Sequence, residues 1–218
     1  MVLRRVAGLP LEQVLGWAEF CGLRVSMEPG VFVPRRRTEF LVERAAALAL
    51  PEACTVVDLC CGSGAIGLGL LHALPRVRLE AADIDPVAVR CAARNLGERG
   101  RVHEGDLDGP LPAELAARVD LLVVNAPHVP SESIALMPPE AREHEPRRAL
   151  DGGSDGLELQ RRAAAAAPRW LAPGGHLLVE AGARQASQVA DLFARQDMRP
   201  EVAHSDDHDA TVVIGTRA

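Results

Sequence analysis

The sequence predicts an α/β fold: a mostly parallel sheet with helices on both faces, finished at one side by an antiparallel pair. Three observations predict it. From about residue 54 onward, short β-rich runs alternate with Ala-rich stretches of helical period. Runs such as Leu121-Leu122-Val123-Val124 are continuously apolar, as strands covered on both faces must be. The last two runs are joined only by Ser205-Asp206-Asp207-His208-Asp209. A parallel crossover needs a dozen or more residues, so these two strands are antiparallel.

In chain order, residues 1–40 form an extension in which Gly30-Val31-Phe32-Val33-Pro34 leads into Arg35-Arg36-Arg37-Thr38-Glu39. It is expected to be a small hairpin and a short helix leaning over the sheet, with 41–218 forming the main domain. Strands are expected at 55–59, 78–83, 102–105, 120–125, 175–181, 201–204 and 211–216, and helices at 65–73, 86–96, 156–171 and 183–196. The Ala-rich stretch after Gln160-Arg161-Arg162 reads as an ordinary surface helix, because it lies between Gly152-Gly153 and the turn Pro173-Gly174-Gly175.

Composition narrows the function. With 218 residues, 48% of them hydrophobic, the chain can bury one substantial core. Its 24 basic residues, all Arg, against 30 acidic ones give a net charge of −6, which disfavours nucleic acid as a partner. No apolar run is long enough to span a membrane and no secretion signal is evident, so a cytoplasmic protein with reduced thiols is expected. The adjacent pair Cys60-Cys61 cannot form a relaxed disulfide. His204 and His208 with the neighbouring aspartates are better explained by a strand-joining turn than by a metal, and no metal site is expected.

The chemistry concentrates at strand ends. Asn125-Ala126-Pro127-His128 follows the run 121–124. An Asn side-chain oxygen and the next backbone carbonyl can each accept one N–H of an NH2 group, while a flat ring stacks on its face. The run Asp58-Leu59-Cys60-Cys61-Gly62-Ser63-Gly64 is a tight turn opening a helix, where backbone N–H groups meet a ligand. A Gly-x-Gly turn alone serves many nucleotide folds. The next strand ends at Asp83, placed to accept both ribose hydroxyls, and the third at Asp106-Leu107, which can bracket an adenine amine and ring.

Together these residues resemble a class I S-adenosylmethionine-dependent methyltransferase. Within that class the chain is similar to the HemK/PrmC group, the protein-(glutamine-N(5)) methyltransferases that modify peptide-chain release factors. Further residues carry the likeness: Pro34-Arg35 with Thr38-Glu39, the block from His144-Glu145-Pro146 to Gly152-Gly153 and Asp155-Gly156-Leu157, and Pro173-Gly174-Gly175.

The resemblance implies a Rossmann-like, seven-stranded sheet ordered 3-2-1-4-5-7-6 with strand 7 antiparallel. It implies S-adenosylmethionine as cofactor, held by Asp58, Cys60, Cys61, Gly62, Ser63, Gly64, Asp83, Asp106, Leu107 and Asn125. Asn125, Ala126, Pro127 and His128 would be catalytic, and Arg35 and Glu145 would meet the substrate. Ala126 stands where the group has Pro, His128 where it has Tyr, and Cys60 where Gly is frequent. A protonated His128 would set a cation beside a sulfonium, so the neutral imidazole is the expected active form, with activity falling as pH drops toward ~6.5.

The group also carries an N-terminal docking domain before the linker, whereas the linker-like part here begins almost at Met1. A release-factor-like protein substrate and a small amide therefore both remain open. So do an RNA or DNA exocyclic amine and a non-catalytic paralogue that binds cofactor only.

Overall fold

The computed structural model describes residues 2–218. It begins with two short helices, α1 (Val2–Val6) and α2 (Leu11–Leu15), and an antiparallel hairpin of β1 (Trp17–Phe20) and β2 (Leu23–Ser26). An extended segment reaches a 3-10 turn, Arg36–Thr38, that runs into α3 (Glu39–Ala46). The alternating region follows as β3 (Ala53–Leu59), α4 (Ala65–Ala73), β4 (Arg76–Asp83), α5 (Pro86–Leu96), β5 (Gly100–Glu104) and β6 (Val119–Val124). It continues as α6 (Pro139–His144), α7 (Glu158–Trp170), β7 (Leu171–Glu180), α8 (Ala186–Ala194), β8 (Met198–Ser205) and β9 (Ala210–Arg217).

Seven strands form one sheet in the order β5-β4-β3-β6-β7-β9-β8. Counted from β3, this is 3-2-1-4-5-7-6, with β9 antiparallel to both neighbours. The fold is the expected Rossmann-like methyltransferase architecture. Side chains alternate across each strand, so neighbouring residues supply opposite faces. Val56, Leu121 and Val123 pack on one face with Leu70 of α4, Leu41 of α3, and Phe20 and Val25 of the N-terminal extension. Val57, Leu122 and Val124 pack on the other with Ala163, Ala167, Trp170 and Phe193. The extension thus shares the core of the sheet, and Asn95 of α5 ties it down by accepting the Ser26 N–H (2.8 Å) and donating to the Ser26 carbonyl (3.0 Å).

Local signals set most boundaries. α5 starts at Pro86 because Asp85 caps it, accepting the Val87 N–H at 2.9 Å. β7 departs from expectation, starting at Leu171 and not at 175. Pairing jumps from Val119↔Leu171 to Leu121↔His176, so Pro173-Gly174 is a bulge inside a strand, with Gly174 at φ +76°. α7 begins at Glu158, two residues later than expected, because Gly156 at φ +74° is outside helical geometry. No helix among the described residues is long and apolar enough to cross a membrane.

Candidate active site

The carboxyl ends of β3, β4 and β6 and the loop after β5 open onto one cavity of about 670 Å³, within the range of small-molecule sites. Its floor is the turn between β3 and α4. There the Cys61 N–H donates to the Ala82 carbonyl (3.1 Å) and the Gly62 N–H to Asp83 Oδ2 (2.8 Å). Asp83 Oδ1 accepts the Asp85 N–H at 2.9 Å, so one carboxylate fixes both strand ends. Burial pushes its pKa up, and these two N–H donors oppose that shift. Burial also raises the Cys60 and Cys61 thiols, which remain protonated and inert as nucleophiles. Cys60 holds a left-handed backbone, φ +57°, the conformation that favours glycine.

Beyond β5, Leu107 and Asp106 line the cavity, and Arg162 of α7 crosses to Asp106 at 2.8 Å. Beyond β6, Asn125 is held from below: its Nδ2 donates to Oγ1 of the buried Thr38 at 3.4 Å, which leaves Oδ1 as the free acceptor. Ala126 and Pro127 are buried, and His128 is partly buried with Nδ1 3.1 Å from the Ala126 carbonyl oxygen. Burial holds this imidazole below its ordinary pKa, against the charge of Glu180 and the Ala126 hydrogen bond, while Arg37 lowers it further.

The block after α6 is laddered onto this loop. The Val129 N–H donates to the Leu150 carbonyl (3.1 Å) and the Gly152 N–H to the Val129 carbonyl (2.9 Å). Ser131 Oγ donates to Asp151 Oδ1 at 2.6 Å. Only a residue without Cβ fits at 156, because that atom would collide with the His128 carbonyl oxygen. The run of glycines after Glu145-Pro146 therefore lets two loops close together around Asn125.

Four similarities to known proteins accompany this geometry. A family profile described as "Methyltransferase small domain" matches residues 22–137. The release factor glutamine methyltransferase of Geobacter sulfurreducens is 40% identical over 220 residues, covering 100% of this chain and 76% of that protein. The chain belongs to the release factor glutamine methyltransferase family. This methyltransferase is also 39% identical over 199 residues to the 4-amino-L-phenylalanine/4-methylamino-L-phenylalanine methyltransferase of Streptomyces pristinaespiralis, covering 88% of this chain and 68% of that one. A Pyrococcus furiosus methyltransferase structure superimposes with a TM-score of 0.69 at 14% identity, covering 99% and 98% of the two chains, which supports the fold alone.

The methyltransferase brings most of its expected site residues to the cavity wall: Cys60, Cys61, Gly62, Ser63, Asp83, Asp106, Leu107, the whole of 125–128, Arg35 and Glu145. Two of the expected residues lie elsewhere. Asp58 is fully buried beneath the turn, where its Oδ2 accepts the Gly67 N–H at 3.0 Å, and Gly64 packs against Ala92; neither lines the cavity. Burial pushes the Asp58 carboxyl up to about 7, and Oδ1 has no partner.

Arg35 and Glu145 face each other, with Arg35 Nη2 2.5 Å from Glu145 Oε2 and the Val33 N–H 3.2 Å from Oε1. They clamp the extension to the block, so their charges are spent on each other. The residues missed in the sequence are Arg162, Thr38 as the partner of Asn125, and Arg37, which lines the cavity and donates to Glu180 at 2.9 Å.

Among the described residues no group of three His, Cys, Asp or Glu side chains is arranged to hold a metal. His204 is held by Thr211 (3.0 Å) and Asp206 (3.2 Å).

Proposed function

We propose that this enzyme transfers a methyl group from S-adenosylmethionine to the amide nitrogen of a protein glutamine, with a peptide-chain release factor as the substrate class. The carrying observation is Asn125: with Nδ2 committed to Thr38, Oδ1 is the acceptor presented to the cavity that the β3–α4 turn also lines.

The lining fits the cofactor. Each Asp83 oxygen keeps a lone pair beyond its backbone donor, enough to receive a ribose diol. Asp106 and Leu107 pair a carboxylate with an apolar surface, as an adenine amine and ring require. Asp58 supports the turn from beneath. When bound, S-adenosylmethionine supplies an electrophilic methyl on a positively charged sulfur.

The chain's own work is orientation. An amide nitrogen is a poor nucleophile because its lone pair is delocalised into the carbonyl. Acceptors on its N–H groups turn the nitrogen toward the methyl and stabilise the charge that develops there. Asn125 Oδ1 takes one N–H. The Ala126 carbonyl keeps one lone pair after the His128 hydrogen bond, and Pro127 stiffens the turn. The clamp between Arg35 and Glu145 holds the wall behind these groups.

Incubation with methyl-labelled S-adenosylmethionine and the release factors of the same cell, followed by peptide mass spectrometry, tests the proposal. A methyl on a glutamine amide supports it. Donor binding without transfer to any release factor refutes the substrate. The second reading, a small aromatic amine, is favoured by the relative acting on 4-amino-L-phenylalanine, and transfer to such an amine in the same assay would establish it.

A further inference from the structure

The tautomer of His128 supplies this site with a proton acceptor. Nδ1 lies 3.1 Å from the Ala126 carbonyl oxygen, an atom that can only accept. A lone pair on Nδ1 would face the carbonyl lone pairs, so Nδ1 carries the hydrogen and Nε2 carries the lone pair. Nε2 has no protein partner among the described residues and is not occluded, and the ring lines the same cavity as Asn125.

We propose that Nε2 of His128 accepts the proton lost by the substrate nitrogen as it gains the methyl group. The inference rests on the amide-methylation reading above. The nitrogen lone pair forms the new N–C bond, and the breaking C–S bond leaves its electron pair on the donor sulfur, which becomes neutral. The nitrogen, now positive, keeps the electrons of one N–H bond while that proton moves to Nε2. The imidazolium formed then returns the proton to solvent. Asn125 Oδ1 and the Ala126 carbonyl thus fix the NH2 group before transfer, and His128 Nε2 takes the proton as the nitrogen becomes positive.

The charged groups acting on the ring suit this cycle. Glu180, at the end of β7, favours the imidazolium, and its buried Oε2 has no partner. Arg37, from the turn before α3, opposes the imidazolium but is itself tied to Glu180 at 2.9 Å. Burial keeps the resting ring neutral and ready to accept. The Tyr usual in the family, with a phenol pKa near ~10, is a donor at neutral pH and takes up no proton.

Two measurements decide the proposal. Long-range 1H–15N spectra of the enzyme saturated with S-adenosylhomocysteine report the ring tautomer directly. Hydrogen on Nδ1 is expected, and hydrogen on Nε2 overturns the proposal whatever the substrate is. In the methyl-transfer assay, log kcat of the unaltered enzyme is expected to fall with unit slope on the acid side, below pH ~6.5. His128→Gln and His128→Tyr should lose that limb and about 100-fold or more in kcat, with KM and donor binding nearly unchanged.

Variants that keep kcat or the acid limb overturn the base assignment while leaving the glutamine assignment intact. Failure of the unaltered enzyme to methylate any release factor refutes the glutamine assignment instead, and the tautomer then decides the role of His128.

Discussion

Replacing Asp58 with Asn should stabilise the protein in a strongly pH-dependent way. Asp58 is fully buried, has one hydrogen bond from Gly67, and titrates near 7 where the ordinary value is 3.8. Below pH 3.8 both folded and unfolded chains hold the proton. Between 3.8 and about 7 the unfolded chain ionises while the folded one does not, so stability is lost steadily as pH rises. At 1.36 kcal/mol per pH unit that interval costs about 4 kcal/mol.

Asn cannot ionise and keeps the acceptor for the Gly67 N–H. Its NH2 takes the place of the unpartnered Oδ1, at a pH-independent cost of about 1–3 kcal/mol. Urea unfolding of both proteins at pH 4.5, 6 and 7.5 isolates the effect, because every other titration cancels in the difference. The advantage of D58N over the parent should grow by about 3–4 kcal/mol across that range. A difference that stays constant within ~1 kcal/mol would refute the account of Asp58 as a carboxyl kept protonated under the turn.

Three further outcomes follow from named contacts. Thr38→Val removes the Nδ2 acceptor and frees the Asn125 amide to rotate, so kcat should fall about 10–100-fold while Thr38→Ser retains most activity, as initial rates at saturating donor will show. Gln160 is fully buried with neither amide atom hydrogen-bonded, so Gln160→Met should raise the unfolding free energy by about 1–3 kcal/mol in urea. Cys60→Gly relieves a left-handed residue and should leave stability unchanged or raise it by up to ~1 kcal/mol, a gain of a few degrees in Tm by calorimetry.

Sequence patterns reached as far as their signals were local. Helices 65–73 and 86–96 coincide with α4 and α5 because Gly64 and Asp85-Pro86 mark their starts within two residues. β7 starts before its sequence signal because Pro173-Gly174 reads as a turn by itself, and only pairing of Leu171 with Val119 makes the preceding residues strand. The same limit applies to the site. Asn125 was legible from the tetrapeptide, but its orientation is set by Thr38, 87 positions earlier.

Arg162 lay hidden in an Ala-rich stretch, and only the packing of α7 against β6 and β7 brings it to Asp106 in the loop after β5. Asp58 looked like a ligand contact because it heads the turn, whereas its depth beneath that turn is decided by α4 and β4 packing above and beside it. Arg35 and Glu145 were each legible as significant, but not as partners, since 110 residues separate them.

The position of β9 has a consequence for how the chain is made. β8 meets the rest of the sheet only through β9, which is synthesised after it. On the ribosome, β3, β4, β6 and β7 can pair as they emerge, but β8 must wait, unpaired, until β9 slides in beside β7. During that interval the β7 edge, Leu177-Leu178-Val179, is an open apolar template. Slow translation or truncation near residue 210 should therefore promote aggregation through that edge.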